Sequence, residues 1–328
     1  MTRVSTPCRI HLGLLNILSD VTHWPDGTPA RRYGGIGFMV ENPRIIVDAR
    51  RGATWSSNGP SAGRALIFAQ KTVATLPSES QSPFHIEVVT CPPEHVGLGV
   101  GTQLGLAVAR AVATEAGHPE IETATLAQAI GRGERSAIGI HGFTAGGLLL
   151  EGGKLNPHRP APLLGRYEIP AKWPLVVITP RSESGDWAGM RERQAFARPR
   201  SVERMMALTE SMTRLIVLGM IPALIEYDVN AFGAAFTECN RLGGRMFAED
   251  QGGDYSSEMV KAIVDVCLKS GATGAGQSSW GPTVVAVCPD EPAAHSVIAE
   301  CRRLSPDSEC LLTRADHRGA IVTQLAAG

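Results

Sequence analysis

PPEHVGLGVGTQLG, residues 92–105, places four glycines among fourteen residues and runs straight into a helix-like stretch at 104–113. A glycine-rich segment that opens onto a helix exposes backbone N–H groups at the positive end of the helix dipole. That combination holds an anion, above all a phosphate. The question it raises is whether the phosphate is handed on, as in a kinase, or held while other chemistry takes place.

The bulk properties narrow the field. With 328 residues the chain has room for two ordinary domains or one large one. Its 43% hydrophobic and 19% charged residues describe a globular protein and not a disordered one. A net charge of −1 offers no basic field for nucleic acid or an anionic membrane. No apolar run reaches the roughly 18 residues of a membrane span. The early apolar patch is broken by His11, Gly13 and Asn16, which argues against a signal peptide. The seven cysteines are scattered, odd in number and never spaced CxxC, so reduced thiols in a cytoplasmic protein are expected, with no structural zinc.

Periodicity predicts strands at 44–48, 85–89, 146–153, 174–180, 283–287 and 319–323, and helices at 61–75, 104–115, 123–131, 201–219, 223–241, 257–270 and 291–303. Ser201 is a plausible N-cap. Proline-rich 156–162 is the best linker candidate. Strands and helices mixed in no strict rhythm indicate an α+β protein, in two domains spanning 1–170 and 171–328.

Two further stretches are as rich in glycine and small polar residues as the first: 131–143 (GRGERSAIGIHGF) and 271–282 (GATGAGQSSWGP). Such segments lose backbone entropy on folding and contribute little packing, and three of them are hard to explain as mere turns. Together they resemble the GHMP superfamily of galactokinase, homoserine kinase and mevalonate kinase. PPEHVGLGVGTQLGLAVA looks like its phosphate loop, STPCRIHLG (5–13) its N-terminal motif, and Thr273–Gly276 its C-terminal glycine motif. The resemblance covers nearly the whole chain. It implies an N-terminal ribosomal-S5-like domain and a C-terminal ferredoxin-like domain, with the ligand between them.

The departures from the kinase pattern are as informative as the matches. Val100 and Gly101 stand where the kinases' paired serines help hold Mg-nucleotide, with Thr102 the nearest hydroxyl. His141 stands where many of them have an aspartate base. Phosphoryl transfer relies on positioning and charge neutralisation around Mg²⁺, and both kinds of help are reduced here. The variant wording, HVGLGVGTQ, RSAIGIHGF, GAGQSSWGPT and WAGMRE (187–192), resembles the β-ribofuranosylaminobenzene 5′-phosphate synthase branch. That branch contains phosphoribosyltransferases of tetrahydromethanopterin biosynthesis. They join phosphoribosyl pyrophosphate to 4-hydroxybenzoate or 4-aminobenzoate, releasing CO₂ and pyrophosphate. An ATP-dependent small-molecule kinase and a non-catalytic metabolite-binding protein are the alternatives.

Roles for residues follow from the resemblance and the chemistry together. Gly97, Gly99, Gly101, Thr102 and Gln103 would hold phosphate, with Arg9, Arg132 and Arg135 neutralising it. Glu134 matches the magnesium-ligating glutamate of the superfamily, so Mg²⁺ is expected. His141 or His11 would act as base on the para substituent, with Arg135 beside them. Gly274, Gly276, Gln277, Ser278 and Trp280 would complete the substrate site, with Trp280 and Phe143 available to stack on the aromatic acid. Arg191 and Glu192 suggest a lid, whereas His23, His118, His158 and His317 sit in polar contexts and are expected to be merely solvated. The choice between the two benzoates stays open. So does the oligomeric state, a homodimer among the options.

Overall fold

The computed structural model describes residues 1–18, 21–157, 159–181 and 190–326. Trp187, Ala188 and Gly189 of the fourth motif, and His158, lie outside the described residues. The chain begins with two long antiparallel strands, β1 (Thr2–Asn16) and β2 (Tyr33–Arg51). It continues through β3 (Ser56–Asn58), α1 (Ala62–Val73), β4 (Phe84–Thr90), α2 (Val100–Glu115), α3 (Thr123–Ala129), α4 (Ile138–Ala145), β5 (Leu148–Glu151) and β6 (Leu163–Tyr167). Next come β7 (Leu175–Thr179), α5 (Met190–Ala197), α6 (Val202–Leu215), a π-helical turn at 216–220, α7 (Ile221–Ile225), α8 (Val229–Arg245) and α9 (Ala248–Gln251). The chain closes with α10 (Glu258–Lys269), β8 (Gly274–Gln277), β9 (Val284–Val287), α11 (Glu291–Leu304), β10 (Glu309–Thr313) and β11 (Ile321–Gln324).

Two sheets result, in keeping with the α+β expectation. The first runs β11-β1-β2-β4-β3, with β5 pairing β2 and β6; the second runs β10-β7-β9-β8. The chain returns to the first sheet at its end, where β11 pairs β1 from Thr2↔Gln324 to Ser5↔Ile321. In β1 the strand period of two sends Ile10 into the core and Arg9 and His11 to the opposite face. A bulge between His11 and Gly13 ends that register.

Helix α2 buries Leu104, Leu106, Val108 and Val112 against the first sheet. Each contributes about 1.5–3 kcal/mol by leaving water. Helix α8 turns Phe232, Phe236, Cys239, Asn240 and Gly243 inward at helical spacing. Its ring ladder runs from Trp173 through Phe232 and Phe236 to Phe38, with centroids 5.4, 6.3 and 6.3 Å apart, and ties the two sheets together.

Several expectations need correction. The helix expected at 223–241 is two helices, because Asp228 accepts from the N–H groups of Asn230 and Ala231 and caps a new start. Residues 131–143 are not one loop, since α4 begins at Ile138 and places His141 on a helix. Residues 271–282 are not one loop either, since Gly274–Gln277 form the buried strand β8. The apolar-run argument also misses one helix. Residues Val202–Ile225 are continuous through the π turn and apolar enough, at a mean hydropathy of 1.5, to cross a membrane by length and composition. In the fold that helix packs on β1 and α8.

Candidate active site

Beyond Ser5 the outer edge of β1 leaves β11 and meets the two glycine-rich connections instead. The Arg9 N–H donates to the Leu98 carbonyl at 3.0 Å, and the Ser279 N–H donates to the His11 carbonyl at 3.0 Å. Ser278 binds both sides: its Oγ accepts from the His11 N–H at 3.1 Å and donates to the Gly97 carbonyl at 2.7 Å. Asn240 on α8 completes the seam. Its Nδ2 donates to the Leu12 and Gln277 carbonyls at 2.9 and 2.7 Å, and its Oδ1 accepts from the Gln277 N–H at 2.8 Å. Strand β1 thus holds the loop before α2 against the loop after β8.

The cleft between them has a volume of about 600 Å³. Its floor is the N-terminus of α2, where Gly99 at φ +67° is the cap residue and no side chain caps the helix. The free N–H groups of the first turn therefore point at whatever ligand arrives. Gly97 has φ +95°, and a β-carbon there would come 2.4 Å from the Ser278 carbonyl. Gly101 has no such backbone demand, and its added β-carbon would meet only guanidinium atoms, Arg64 Nη2 at 2.8 Å and Arg132 Nη2 at 3.4 Å.

Five arginines line the cleft, Arg9, Arg64, Arg132, Arg135 and Arg193, against three carboxylates, Glu134, Glu192 and Asp254. Asp254 is already committed to Arg241 and Arg245. Arg64 pairs with Glu94, and Arg135 pairs with Glu192 while lying over the Phe196 ring at 4.3 Å. Arg9 and Arg132 donate no side-chain hydrogen bond within the described residues, and Arg132 Nε is buried without a partner. Burial pushes the Arg9 pKa down to about 10, so it stays charged at neutral pH. Two unsatisfied cations beside an uncapped helix start form a site for more than one phosphate.

His11 lines the same cleft, and its Nε2 lies 3.1 Å from the Ser136 hydroxyl. Burial and then the charge of Arg9 hold its pKa well below the ordinary histidine value, so it is neutral and able to accept a proton. Trp280 forms an aromatic wall with Phe247 and Phe196, at centroid distances of 4.5 and 6.3 Å. Glu134 is exposed in the cleft, and no hydrogen bond or salt bridge engages its carboxylate among the described residues. Lys154 Nζ donates to the Gly133 and Glu134 carbonyls at 2.6 and 2.9 Å and fixes that turn.

Of the residues expected at the site, the fold brings together Arg9, His11, Gly97, Gly99, Gly101, Thr102, Glu134, Arg135, Gln277 and Trp280. Others do not line the cleft. His141 turns its Nε2 to the Ala161 carbonyl at 2.8 Å. Gln103 is fully buried between Thr6 and the Gly139 carbonyl. Ser278 is a buried brace. Gly274 and Gly276 allow α8 to approach, since β-carbons there would come 2.4 Å from the Gly233 carbonyl and 2.5 Å from Asn240 Oδ1. Sequence reasoning overlooked Arg64, Arg193, Phe196 and Phe247, which carry no local signal, and His95, which opens the phosphate-loop motif HVGLGVGTQ. It also overlooked Glu151, for which a signal existed: an acid closing the apolar run LLLE.

Comparison with known proteins agrees with this geometry. Residues 220–307 match the family model described as GHMP kinases C terminal. Among solved structures, the mevalonate kinase of Methanococcus jannaschii superposes with a TM-score of 0.70 at 14% identity, covering 96% of this chain and 98% of that one. A homoserine kinase from Cytophaga hutchinsonii superposes with a TM-score of 0.67 at 15% identity, covering 98% and 97%. These show the GHMP kinase fold. The Beta-ribofuranosylphenol 5′-phosphate synthase of Archaeoglobus fulgidus is 31% identical over 88% of both chains. That of Methanothermobacter thermautotrophicus is 27% identical over 97% of this chain and 98% of its own. Built on the GHMP kinase fold, with its glycine loop turned to an arginine-lined cleft, the chain belongs to the β-ribofuranosylphenol 5′-phosphate synthase family.

Proposed function

We propose that the chain joins phosphoribosyl pyrophosphate to 4-hydroxybenzoate, forming β-ribofuranosylphenol 5′-phosphate with release of CO₂ and pyrophosphate, in methanopterin biosynthesis. The observation that carries this reading is the pair Arg9 and Arg132, whose guanidinium groups find no hydrogen-bond acceptor among the described residues, beside the uncapped start of α2. A donor bearing three phosphates supplies the anions they lack. The phenol named in the relatives' product favours the hydroxy acid over the amino acid. The kinase alternative is weakened at the same loop, where Val100 is buried and Gly101 has no hydroxyl.

The roles follow from placement. The α2 N-terminus, Arg9, Arg64 and Arg132 bind the phosphates and hold the anomeric carbon in the cleft. The wall of Trp280, Phe247 and Phe196 orients the flat acid, with Arg135 or Arg193 in reach of its carboxylate. Attack by the ring carbon that bears the carboxylate forms the C–C bond as pyrophosphate leaves. Loss of CO₂ then restores aromaticity, its bonding electrons returning to the ring. His11, neutral and in the cleft, takes the hydroxyl proton that would otherwise hold back the ring's electrons. Glu134 together with substrate phosphates would hold Mg²⁺, since that ion takes one or two carboxylates plus phosphate oxygens. When bound it would stabilise charge on the leaving pyrophosphate.

The test is incubation with phosphoribosyl pyrophosphate, Mg²⁺ and each benzoate, reading CO₂ and pyrophosphate, beside thermal shifts with phosphoribosyl pyrophosphate and with ATP. Turnover of 4-hydroxybenzoate and a larger shift with phosphoribosyl pyrophosphate are expected. A larger shift with ATP, together with ADP formation on an alcohol, would replace this reading with the kinase.

A further inference from the structure

We propose that Glu151, through the Ser136 hydroxyl, is the terminal proton store for His11, so that the hydroxyl proton of the aromatic substrate leaves the cleft during C–C bond formation and returns after CO₂ is lost. This rests on the reaction proposed above.

The geometry is a line leading away from the cleft. His11 has Nε2 against Ser136 Oγ at 3.1 Å, and its other ring nitrogen has no protein partner among the described residues. That leaves Nδ1 for substrate. Ser136 Oγ accepts from the Ile138 N–H at 3.2 Å, which fixes the oxygen and leaves the hydroxyl proton to turn toward a second group. Behind it lies Glu151, a carboxyl with no solvent exposure. One of its oxygens, Oε2, accepts from the Ala137 N–H at 2.6 Å. The other, Oε1, is buried without a hydrogen-bond partner. The Ser136 hydroxyl is close enough to this carboxyl to stabilise its ionised form by hydrogen bonding, and the oxygen without a settled partner is the one we assign to receive its proton.

A buried acceptor left empty is costly, of order 1–3 kcal/mol. A carboxyl whose only role was to accept from the Ala137 N–H would not need a second, unpartnered oxygen. The charges around it suit a reversible store. Burial pushes the pKa up to about 7, against the hydrogen bonds of the Ser136 hydroxyl and the Ala137 N–H and the charges of Arg9 on β1 and Lys154 after β5, which favour the ionised form. His11, neutral because of the same burial and the same Arg9, cannot hold the proton for long itself.

The protons balance. The substrate hydroxyl gives its proton to His11 Nδ1, the Nε2 proton passes to Ser136, and the Ser136 proton passes to Glu151 Oε1. The substrate becomes phenolate, the histidine changes tautomer, and Glu151 becomes neutral. After attack and loss of CO₂ the product phenolate takes a proton back by the reverse path. No proton is consumed, and the carboxylate's negative charge leaves on pyrophosphate.

The experiment compares wild type, Glu151→Gln and Ser136→Ala with saturating phosphoribosyl pyrophosphate and Mg²⁺. The readouts are kcat and KM across pH 5.5–9 with 4-hydroxybenzoate, and with 3,5-difluoro-4-hydroxybenzoate, whose hydroxyl is already ionised at neutral pH. Glutamine keeps an acceptor for the Ala137 N–H. Wild-type kcat is expected to rise with pH through about neutrality as Glu151 ionises. Both variants are expected to lose at least tenfold in kcat with KM within threefold. They should also lose that rise, and recover most of their rate with the fluorinated acid. If Glu151→Gln folds poorly, Ser136→Ala carries the same expectations alone. A variant with wild-type kcat and pH profile overturns the relay while leaving the reaction standing. So does a defect that the fluorinated acid does not relieve. Absence of CO₂ and pyrophosphate from wild type with either benzoate overturns the reaction, and the relay with it.

Discussion

Arg132 stacks on Phe68, its guanidinium 5.3 Å from the ring centroid, while its Nε is buried with no hydrogen-bond partner. The ring holds the side chain in place without satisfying it, so the free protein carries an unpaid desolvation penalty that a phosphate would relieve. Arg132→Met keeps the contact with Phe68 and removes the unpaired donor. Affinity for phosphoribosyl pyrophosphate is expected to fall about 10- to 100-fold, the range of one charged hydrogen bond. The melting temperature of the unliganded protein is expected to stay level or rise. Titration calorimetry and a melting curve on the same variant check both halves.

Gly101 and Gly99 separate the demands of the ligand from those of the backbone. A side chain at Gly101 displaces only the flexible ends of Arg64 and Arg132, so Gly101→Val is expected to weaken donor binding at least tenfold and to change folding stability by less than about 1 kcal/mol. At Gly99 the β-carbon would meet Arg9 Nε at 2.7 Å, and φ is +67°. Gly99→Ala is therefore expected to cost both binding and roughly 1 kcal/mol of stability. Denaturation midpoints paired with dissociation constants decide the matter. A large stability loss at Gly101 with unchanged affinity would mean that the loop serves the fold alone.

Glu134 projects into the cleft from a turn that Lys154 holds by its carbonyls, so its carboxylate can be neutralised without disturbing the turn. Glu134→Gln is expected to keep the melting temperature within about 2 °C and to lower turnover at least tenfold at limiting Mg²⁺. A Mg²⁺ titration identical to wild type would show that the carboxylate does not bind the metal.

The buried Glu151 carboxyl makes stability depend on pH. Its pKa is raised in the folded state, so between the two values the folded chain binds more protons than the unfolded one. Stability then falls as pH rises through the window from 4.5 to about 7. Wild type is expected to lose up to about 3 kcal/mol relative to Glu151→Gln across that window, at 1.36 kcal/mol per unit. Urea midpoints at pH 4.5, 6 and 7.5 test it, and parallel curves for the two proteins would refute it.

The phosphate loop and its helix were legible because glycine before an apolar 3.6-residue period has few other uses. Arg9 and His11 were legible because they stand two apart in a motif. The corrections share one cause. Glycine density marks close approach of backbone, and close approach serves packing as readily as ligands. Gly274 and Gly276 make room for α8, and Gly142 makes room for Met39, whose Sδ would lie 2.3 Å from an added β-carbon. His141 illustrates the same limit, since a helical turn decides which face of α4 sees the cleft, and Gly139 takes that face while Ser136 reaches it from the turn before the helix. Arg64, Phe196 and Phe247 reach the site only through tertiary packing of α1, α5 and the turn after α8, which no local pattern encodes.

Surface loops are ordinarily where a chain accepts extra residues most freely. The segments at 97–99 and 278–279 look like the softest parts of this one. Yet the first is hydrogen-bonded to Arg9 of β1 and the second to His11, two residues further along the same strand, and Ser278 joins one segment to the other. A single inserted residue in either would slide its partner along a strand whose side chains alternate, and would break the bond that seats the opposite segment as well. Variation in length should therefore be borne by connections such as the one between β5 and β6, while these two glycine-rich segments keep a constant residue count.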